Sequence, residues 1–391
     1  MRIRRTTAAT VGLLLAGVAA TPAHAQTIRE KQWHLDAMKA DEVWKVSTGE
    51  GVTVAVIDTG VGRIAELEGQ VLPGKDFAAG RKSYDGDERT DYDNHGTAIA
   101  ALIAGTGKHP SGDGSFGLAP GAKILPLRVP NEMDRATPSW VAAIRYAADS
   151  EAKVINISLG FPGSPEDDLA RAEAVKYALS KGKLIFASVG NDGATVNRVE
   201  YPSATPGVVG VGAVSADGGA TKESQHGPQV DMAAPGVDVV TACAGDTGLC
   251  NTHGTSDASA LASASAALLW SAHPDWTNNQ VLRVLLNTAG KPVDGAARND
   301  YVGYGVVRPR VAVPTPGDPG PADVYPLPDL AAAGASGGKS AETGASKPVP
   351  QPEAGVKKSD GSSLPWIALG LGACVVIGGA VTAVAVRRNR R

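Results

Sequence analysis

Cysteine is scarce: three residues in 391 are too few for a disulfide scaffold, so the chain has to be held by a buried core. Charge is nearly balanced, with a formal net charge of -3 and 20% charged residues. No surface for a polyanion is implied, and nucleic acid is excluded as a partner. Aromatic residues are also few, at 5%. What is abundant is Gly (48) and Pro (26), a composition of many tight turns and at least one linker. The length fits one large domain with appendages.

The appendages lie at the two ends. Met1 to Ala25 reads as a secretory signal, with Arg2, Arg4 and Arg5 before the apolar run Val11 to Ala20 and small residues at Ala23-His24-Ala25. The mature chain then starts near Gln26. Residues 26–50 carry Trp33, Leu35, Met38, Val43 and Trp44, a pattern suited to an N-terminal extension that packs on a larger body. Residues 312–363 shift to Pro, Gly, Ala and Ser and read as a linker. Leu364 to Val386 is an apolar run without a charge, long enough to cross a bilayer. Arg387, Arg388, Arg390 and Arg391 follow it as a basic tail on the cytoplasmic side. Signal and span together predict a single-pass protein of the cell membrane whose body faces outward.

Between these ends, residues 51–311 alternate strand and helix. Strands are predicted at Val52 to Ile57, Ile124 to Val129, Val154 to Leu159, Leu184 to Val189, Val208 to Val214 and Val237 to Ala242. Helices are predicted at His95 to Ala104, Ser139 to Ala148, Asp168 to Leu179, Leu261 to Trp270 and Gln280 to Leu286. Near-continuous apolar strands separated by helices imply an α/β domain, a mostly parallel sheet with helices on both faces. Ligands bind such sheets at the carboxyl ends of the strands. Asp58, Ser158-Leu159-Gly160 and Gly190-Asn191 all fall there.

Four groups have complementary chemistry. Asp58 ends a buried strand, His95 opens a helix, Asn191 follows a strand, and Ser256 stands at the start of the Ala/Ser-rich helix. A serine hydroxyl becomes a nucleophile when a base takes its proton, and imidazole is a suitable base. The imidazole needs a buried carboxylate to fix its tautomer. An amide side chain and a helix N-terminus can hold a developing oxyanion. Each residue alone has an ordinary explanation as a cap or a turn. All four in this order do not.

This order, and the motifs around Asp58-Thr59-Gly60, His95-Gly96-Thr97, Gly190-Asn191 and Gly254-Thr255-Ser256, resemble the subtilisin-like serine peptidases over roughly Trp33 to Ala312. The resemblance implies a subtilisin-like fold with Asp58 as orienting acid, His95 as base then acid and Ser256 as nucleophile. It also implies Asn191 and the Ser256 N–H as the oxyanion hole, with Ser158, Leu159 and Gly160 as the substrate-binding strand. The whole layout, with its signal, linker, membrane helix and basic tail, is similar to the mycosins, membrane-anchored peptidases associated with type VII secretion. The partners so implied are protein or peptide substrates and the membrane components of a type VII secretion complex. The alternatives are a structural subunit of that complex with proteolysis secondary, and a general cell-surface degradative protease.

Some positions depart from the family pattern. Asn94 stands where Gly is usual, and Asn also tolerates positive φ. Ala101 replaces a Gly, Ala260 replaces a Pro, and Asp257 stands where an apolar residue commonly follows the nucleophile. Cys243 and Cys250, in an oxidising compartment, are expected to form a disulfide. No cofactor is implied. Calcium is common in the family, but His226, His253, His273 and the acidic Asp85–Glu88 loop have no metal-ligand spacing that locates a site.

Overall fold

The β/α alternation begins at Thr53, close to where the periodicity predicts it. The computed structural model describes residues 26–79, 84–131, 136–245 and 248–333, all within one compact unit, Met1–Ser340. The expected signal, membrane span and basic tail lie outside the described residues, as does the whole second unit, Ala341–Arg391. Among the described residues no helix is long and apolar enough to cross a membrane.

Three short helices, α1 (Ile28–Lys31), α2 (Trp33–Ala37) and α3 (Ala40–Val43), precede β1 (Thr53–Asp58), β2 (Lys75–Asp76), α4 (His95–Ala104) and β3 (Lys123–Arg128). The middle of the chain is α5 (Ala136–Asp149), β4 (Val154–Ile157), β5 (Phe161–Pro162), α6 (Leu169–Ser180), β6 (Leu184–Ser188) and β7 (Glu200–Tyr201). It continues as β8 (Val209–Val214), β9 (Met232–Pro235), β10 (Val239–Ala242), β11 (Leu249–Thr252), α7 (Thr255–Ala272), α8 (Asn278–Thr288) and α9 (Pro309–Ala312). Seven strands form one sheet in the order β2-β3-β1-β4-β6-β8-β9, with every neighbouring pair parallel.

Strand β1 shows why helices cover both faces. Its side chains alternate, so Val54 and Val56 join a core with α4, α7 and α8, while Ala55 and Ile57 join another with α5 and α6. Helix α7 is buried along nearly all of its length. Its Ala and Ser side chains let its backbone lie close to the sheet without displacing strand residues.

The strands β2, β5, β7, β9 and β11 are not among those the periodicity predicts, and one predicted strand pairs outside the main sheet. The predicted Val237 to Ala242 strand is β10, which pairs antiparallel with β11 in a separate hairpin. The edge of the main sheet is β9, which pairs with β8. Met-Ala-Ala-Pro has no period and no β-branched residue, so only the pairing reveals it, with Pro at the end of an edge strand.

The N-terminal extension is integral to the body. Gln32 is fully buried and exchanges hydrogen bonds with Phe116, donating from Nε2 to its carbonyl at 2.8 Å and accepting from its N–H at 3.0 Å. The indole of Trp33 donates to the Val237 carbonyl at 2.9 Å, and that of Trp44 to the Leu118 carbonyl at 2.8 Å.

The expected linker is also packed where it begins. Arg283 donates to the carbonyls of Pro319 and Pro321, both at 2.8 Å, and to that of Val324. Asp329 accepts from the Gly207 N–H at 2.6 Å, and Leu327 is 3% exposed. The Pro- and Gly-rich composition hides this because the anchoring partners lie far away in sequence. A chain of residues 26–333 should therefore melt about 5–10 °C above one of residues 26–312, because loss of Leu327 and Val313 burial is worth about 3 kcal/mol or more. Equal melting temperatures by calorimetry would place the end of the domain at 312.

Candidate active site

The three groups expected to act together come from three elements. Asp58 is the last residue of β1 and 1% exposed; His95 is the first residue of α4, with a side chain 31% exposed. His95 Nδ1 lies 2.7 Å from Asp58 Oδ1. That contact assigns the Nδ1 proton to the carboxylate side and leaves Nε2 free to accept. Asp58 Oδ1 also accepts from the Thr59 N–H at 2.8 Å, while Asp58 Oδ2 is buried with no hydrogen-bond partner. Burial opposes a charged imidazole here. The charge and hydrogen bond of Asp58, with Asp257 and Asp91 behind it, outweigh burial and hold the His95 pKa up at about 9.

The start of α4 is built by a residue the motif does not reveal. Asp91 Oδ2 accepts from the Thr97 N–H at 2.7 Å and the Thr97 hydroxyl at 2.6 Å, while Oδ1 accepts from the Asn94 N–H at 2.8 Å. The Thr59 hydroxyl donates to Asp91 Oδ1 at 2.7 Å and accepts from the Gly96 N–H at 2.9 Å, joining the end of β1 to the first turn of α4. Gly96 leaves no room for a side chain, since a Cβ there would lie 2.2 Å from the Gly60 carbonyl oxygen. Asn94 takes the left-handed conformation, φ 66°. Its amide exchanges hydrogen bonds with Ala244, donating at 2.7 Å and accepting at 2.8 Å. Ala244 lies in the loop closed by the Cys243–Cys250 disulfide, so the expected bridge steadies a loop that holds the residue before His95.

Ser256 is the second residue of α7, half-buried among fully buried neighbours. It is tied reciprocally to the end of β4. Its hydroxyl donates to the Ser158 carbonyl at 3.0 Å, and the Ser158 hydroxyl donates to the Ser256 carbonyl, also at 3.0 Å. The Ser158 hydroxyl accepts from Asn156 Nδ2 at 3.0 Å, and Asn156 Oδ1 accepts from the Ser259 and Ser263 hydroxyls at 2.9 and 3.0 Å. This buried ladder fixes α7 on β4 without an unpaired hydroxyl among its members. In this state the Ser256 hydroxyl is bonded to Ser158 and not to His95.

Asn191 lies past the end of β6. Its Oδ1 accepts from the Thr255 N–H at 2.9 Å and the Thr255 hydroxyl at 3.1 Å. With the oxygen held, the orientation of Nδ2 is set, and that donor is left for a ligand. Gly254, φ 123°, lets the chain pass close by, since a Cβ there would lie 3.0 Å from Asn191 Nδ2. Gly160 follows Ser158 and Leu159 beyond β4, so the expected substrate strand and Asn191 line adjacent strand ends. A buried carboxylate, an imidazole and a hydroxyl at a helix N-terminus beside a free amide donor can together activate a hydroxyl and stabilise an oxyanion.

Asp257 is 2% exposed, with Oδ2 unpartnered. Burial pushes its carboxyl up to about 6, so it is ionised above that pH and adds negative charge behind His95. The other histidines singled out in the sequence have local partners. His253 pairs with Glu223 at 3.0 Å, His226 stacks on Tyr301, and His273 stacks on Trp276. Among the described residues no group of three or more His, Cys, Asp or Glu is placed to hold a metal ion.

Comparison with known proteins gives concordant matches. The model of the Peptidase S8 subtilase family matches residues 49–305. Mycosin-1 of Mycobacterium tuberculosis is 32% identical over 342 residues, 74% of this chain and 74% of that protein. Subtilisin BL of Lederbergia lenta is 33% identical over 243 residues, 62% of this chain and 84% of that protein. The crystal structure of MycP1 from Mycobacterium smegmatis is similar with a TM-score of 0.65 and 30% identity, covering 78% of this chain and 89% of that one. A chain in the periplasmic assembly from the ESX-5 inner membrane complex is similar with a TM-score of 0.65 and 28% identity, covering 86% of this chain and 92% of that one.

Proposed function

Since the chain belongs to the subtilase family, a serine protease family, and is related to the mycosins, we propose that it is a membrane-anchored serine endopeptidase in which Asp58, His95 and Ser256 act as one unit. The observation that carries this reading is the 2.7 Å contact of a buried Asp58 carboxylate with His95 Nδ1, beside a helix that presents Ser256. The Ser256 hydroxyl leaves the Ser158 carbonyl and turns to His95 Nε2, which takes its proton as Oγ attacks the substrate carbonyl carbon. Negative charge moves to the carbonyl oxygen, where Asn191 Nδ2 and the Ser256 N–H receive it. His95 then gives its proton to the departing amine, the C–N bond breaks, and an ester to Ser256 remains. Water, deprotonated by the same imidazole, cleaves that ester and restores the hydroxyl. Every proton moves between groups of the chain, the substrate and water, so the cycle closes without a cofactor. A fluorophosphonate should label Ser256, and the Ser256→Ala protein should stay unlabelled. Labelling elsewhere, or none in folded protein, would overturn the assignment.

The pH dependence follows from the carboxylates around His95. Only neutral imidazole can accept the Ser256 proton, and the neighbouring charges raise its pKa. The kcat/KM should therefore increase with pH through one ionisation on the alkaline side of 6.5, toward about 9. Asp257→Asn removes one of those charges, so the inflection should move to lower pH. A profile flat from pH 6 to 9, or one unmoved in Asp257→Asn, would contradict the role given to these groups.

The apolar run from Leu364 to Val386 and the signal-like Met1 to Ala25 support anchoring with the peptidase outside the membrane and the basic tail in the cytoplasm. Residues beyond the packed segment that ends at Asp329 serve as the tether. Similarity to a chain in the periplasmic assembly from the ESX-5 inner membrane complex and to MycP1 from the ESX-1 type VII secretion system favours a second role as a structural subunit of a type VII secretion complex, alongside proteolysis.

A further inference from the structure

Glu200 is a charged residue beside the candidate substrate cleft that the catalytic chemistry does not use. It lies on β7, whose antiparallel pairing with β5 sets Glu200 opposite Pro162, just beyond the substrate strand. Its carboxylate, with the side-chain amide of Gln225, lies against two glycines. A Cβ at Gly160 would lie 2.7 Å from Glu200 Oε2, and one at Gly190 would lie 2.4 Å from Gln225 Nε2 and 2.7 Å from Glu200 Cδ. These glycines border the cleft on its two sides, Gly160 two residues after Ser158 and Gly190 just before Asn191. The substrate carbonyl that Ser256 attacks has its oxygen toward Asn191. Because the Ser256 hydroxyl is held at Ser158 and Asn191 follows Gly190, the residue bearing that carbonyl lies beside the Gly160 and Gly190 segments, next to Glu200.

The carboxylate has capacity to spare. Its one side-chain hydrogen bond comes from a neutral amide, Gln225 Nε2 at 2.8 Å to Oε1. Among the described residues it has no ion pair: the neighbouring cation, Arg198, is exposed and lies 3.8 Å from Asp192. Burial pushes the Glu200 carboxyl above its usual range against the Gln225 hydrogen bond, so a cation brought beside it stabilises the charged form. Asp192, Asp257 and Asp58 add negative charge around the same cleft and oppose an acidic side chain.

We propose that Glu200 selects lysine or arginine as the residue whose carbonyl Ser256 attacks, so that the substrates are proteins cut after a basic side chain. This rests on the reading of Ser256 as nucleophile. A partly buried carboxylate discriminates strongly, because a neutral side chain leaves it desolvated and unpaired.

The test uses the full chain in detergent and peptide amides that differ only in the residue before the scissile bond, namely Lys, Arg, Leu, Phe or Glu. The native enzyme should favour Lys or Arg over Leu by about tenfold or more in kcat/KM, and Glu200→Gln should lower that ratio by about 10- to 100-fold. Benzamidine, a cation that is not cleaved, should raise the melting temperature of the native chain and not that of Glu200→Gln. A native preference for Leu or Phe overturns the proposal even if the variant fails to fold, and so does a ratio unchanged in Glu200→Gln. In those cases fluorophosphonate labelling of Ser256 leaves the peptidase reading standing. Absence of labelling in folded native chain removes the peptidase reading and this proposal with it, while the benzamidine comparison still reports whether the carboxylate takes a cation.

Discussion

Ser256→Ala should lower kcat by about 10⁶-fold, the scale found when the nucleophile of subtilisin, a relative of this chain, is removed. The fold should survive, because the hydroxyl contributes one hydrogen bond, to the Ser158 carbonyl, worth about 1 kcal/mol. The reciprocal bond from the Ser158 hydroxyl to the residue 256 carbonyl is retained. The same substitution separates the two proposed roles in cells. If proteolysis is the whole contribution, the strain with Ser256→Ala should share the secretion defect of a strain lacking the gene. If the domain is also a structural subunit, cleavage should stop while secretion continues, and deletion should stop both. We expect the second pattern. Equal secretion defects at equal protein levels would leave proteolysis as the only role.

Asn191→Ala should lower kcat by about 10²- to 10³-fold, the value of one oxyanion donor in subtilisin itself. The substitution also removes the acceptor for the Thr255 N–H and hydroxyl, so stability should fall by about 1–2 kcal/mol. Asn191→Asp separates the two effects. It keeps an oxygen to receive the Thr255 donors but replaces Nδ2 with a second oxygen, which repels the developing oxyanion. The aspartate variant should therefore be as impaired in kcat as the alanine variant, with a smaller loss in melting temperature. A kcat within a few-fold of native in both would remove Asn191 from the mechanism.

Local signals carried much of this reading. The strands β1, β3, β4, β6 and β8 and the helices at His95, Ser256 and Asn278 are legible because periodicity and breaker residues act within a few positions. Asp58, His95, Asn191 and Ser256 could be picked out because each sits at an element end. A parallel sheet brings its carboxyl ends to one edge whatever the loops between them. The Cys243–Cys250 bridge was legible for the same reason, the two residues being close in sequence.

Other features depend on which distant segments meet. Asp91 caps α4 through Thr97 and Thr59, residues on either side of it in sequence, and no motif marks it. Glu200 reaches Gly160 only because β7 pairs with β5. The 313–333 segment looks like a linker by composition but is held by Arg283 and Gly207. Asp257 looked like a charge at a helix start, and packing buried it against the site. The sequence alone determined the order of elements and the chemical groups placed at their ends, because those follow from short-range backbone preferences. Only the tertiary structure decided what each group faces, and so its charge state and its fit to a substrate, because electric fields and excluded volume depend on neighbours in space.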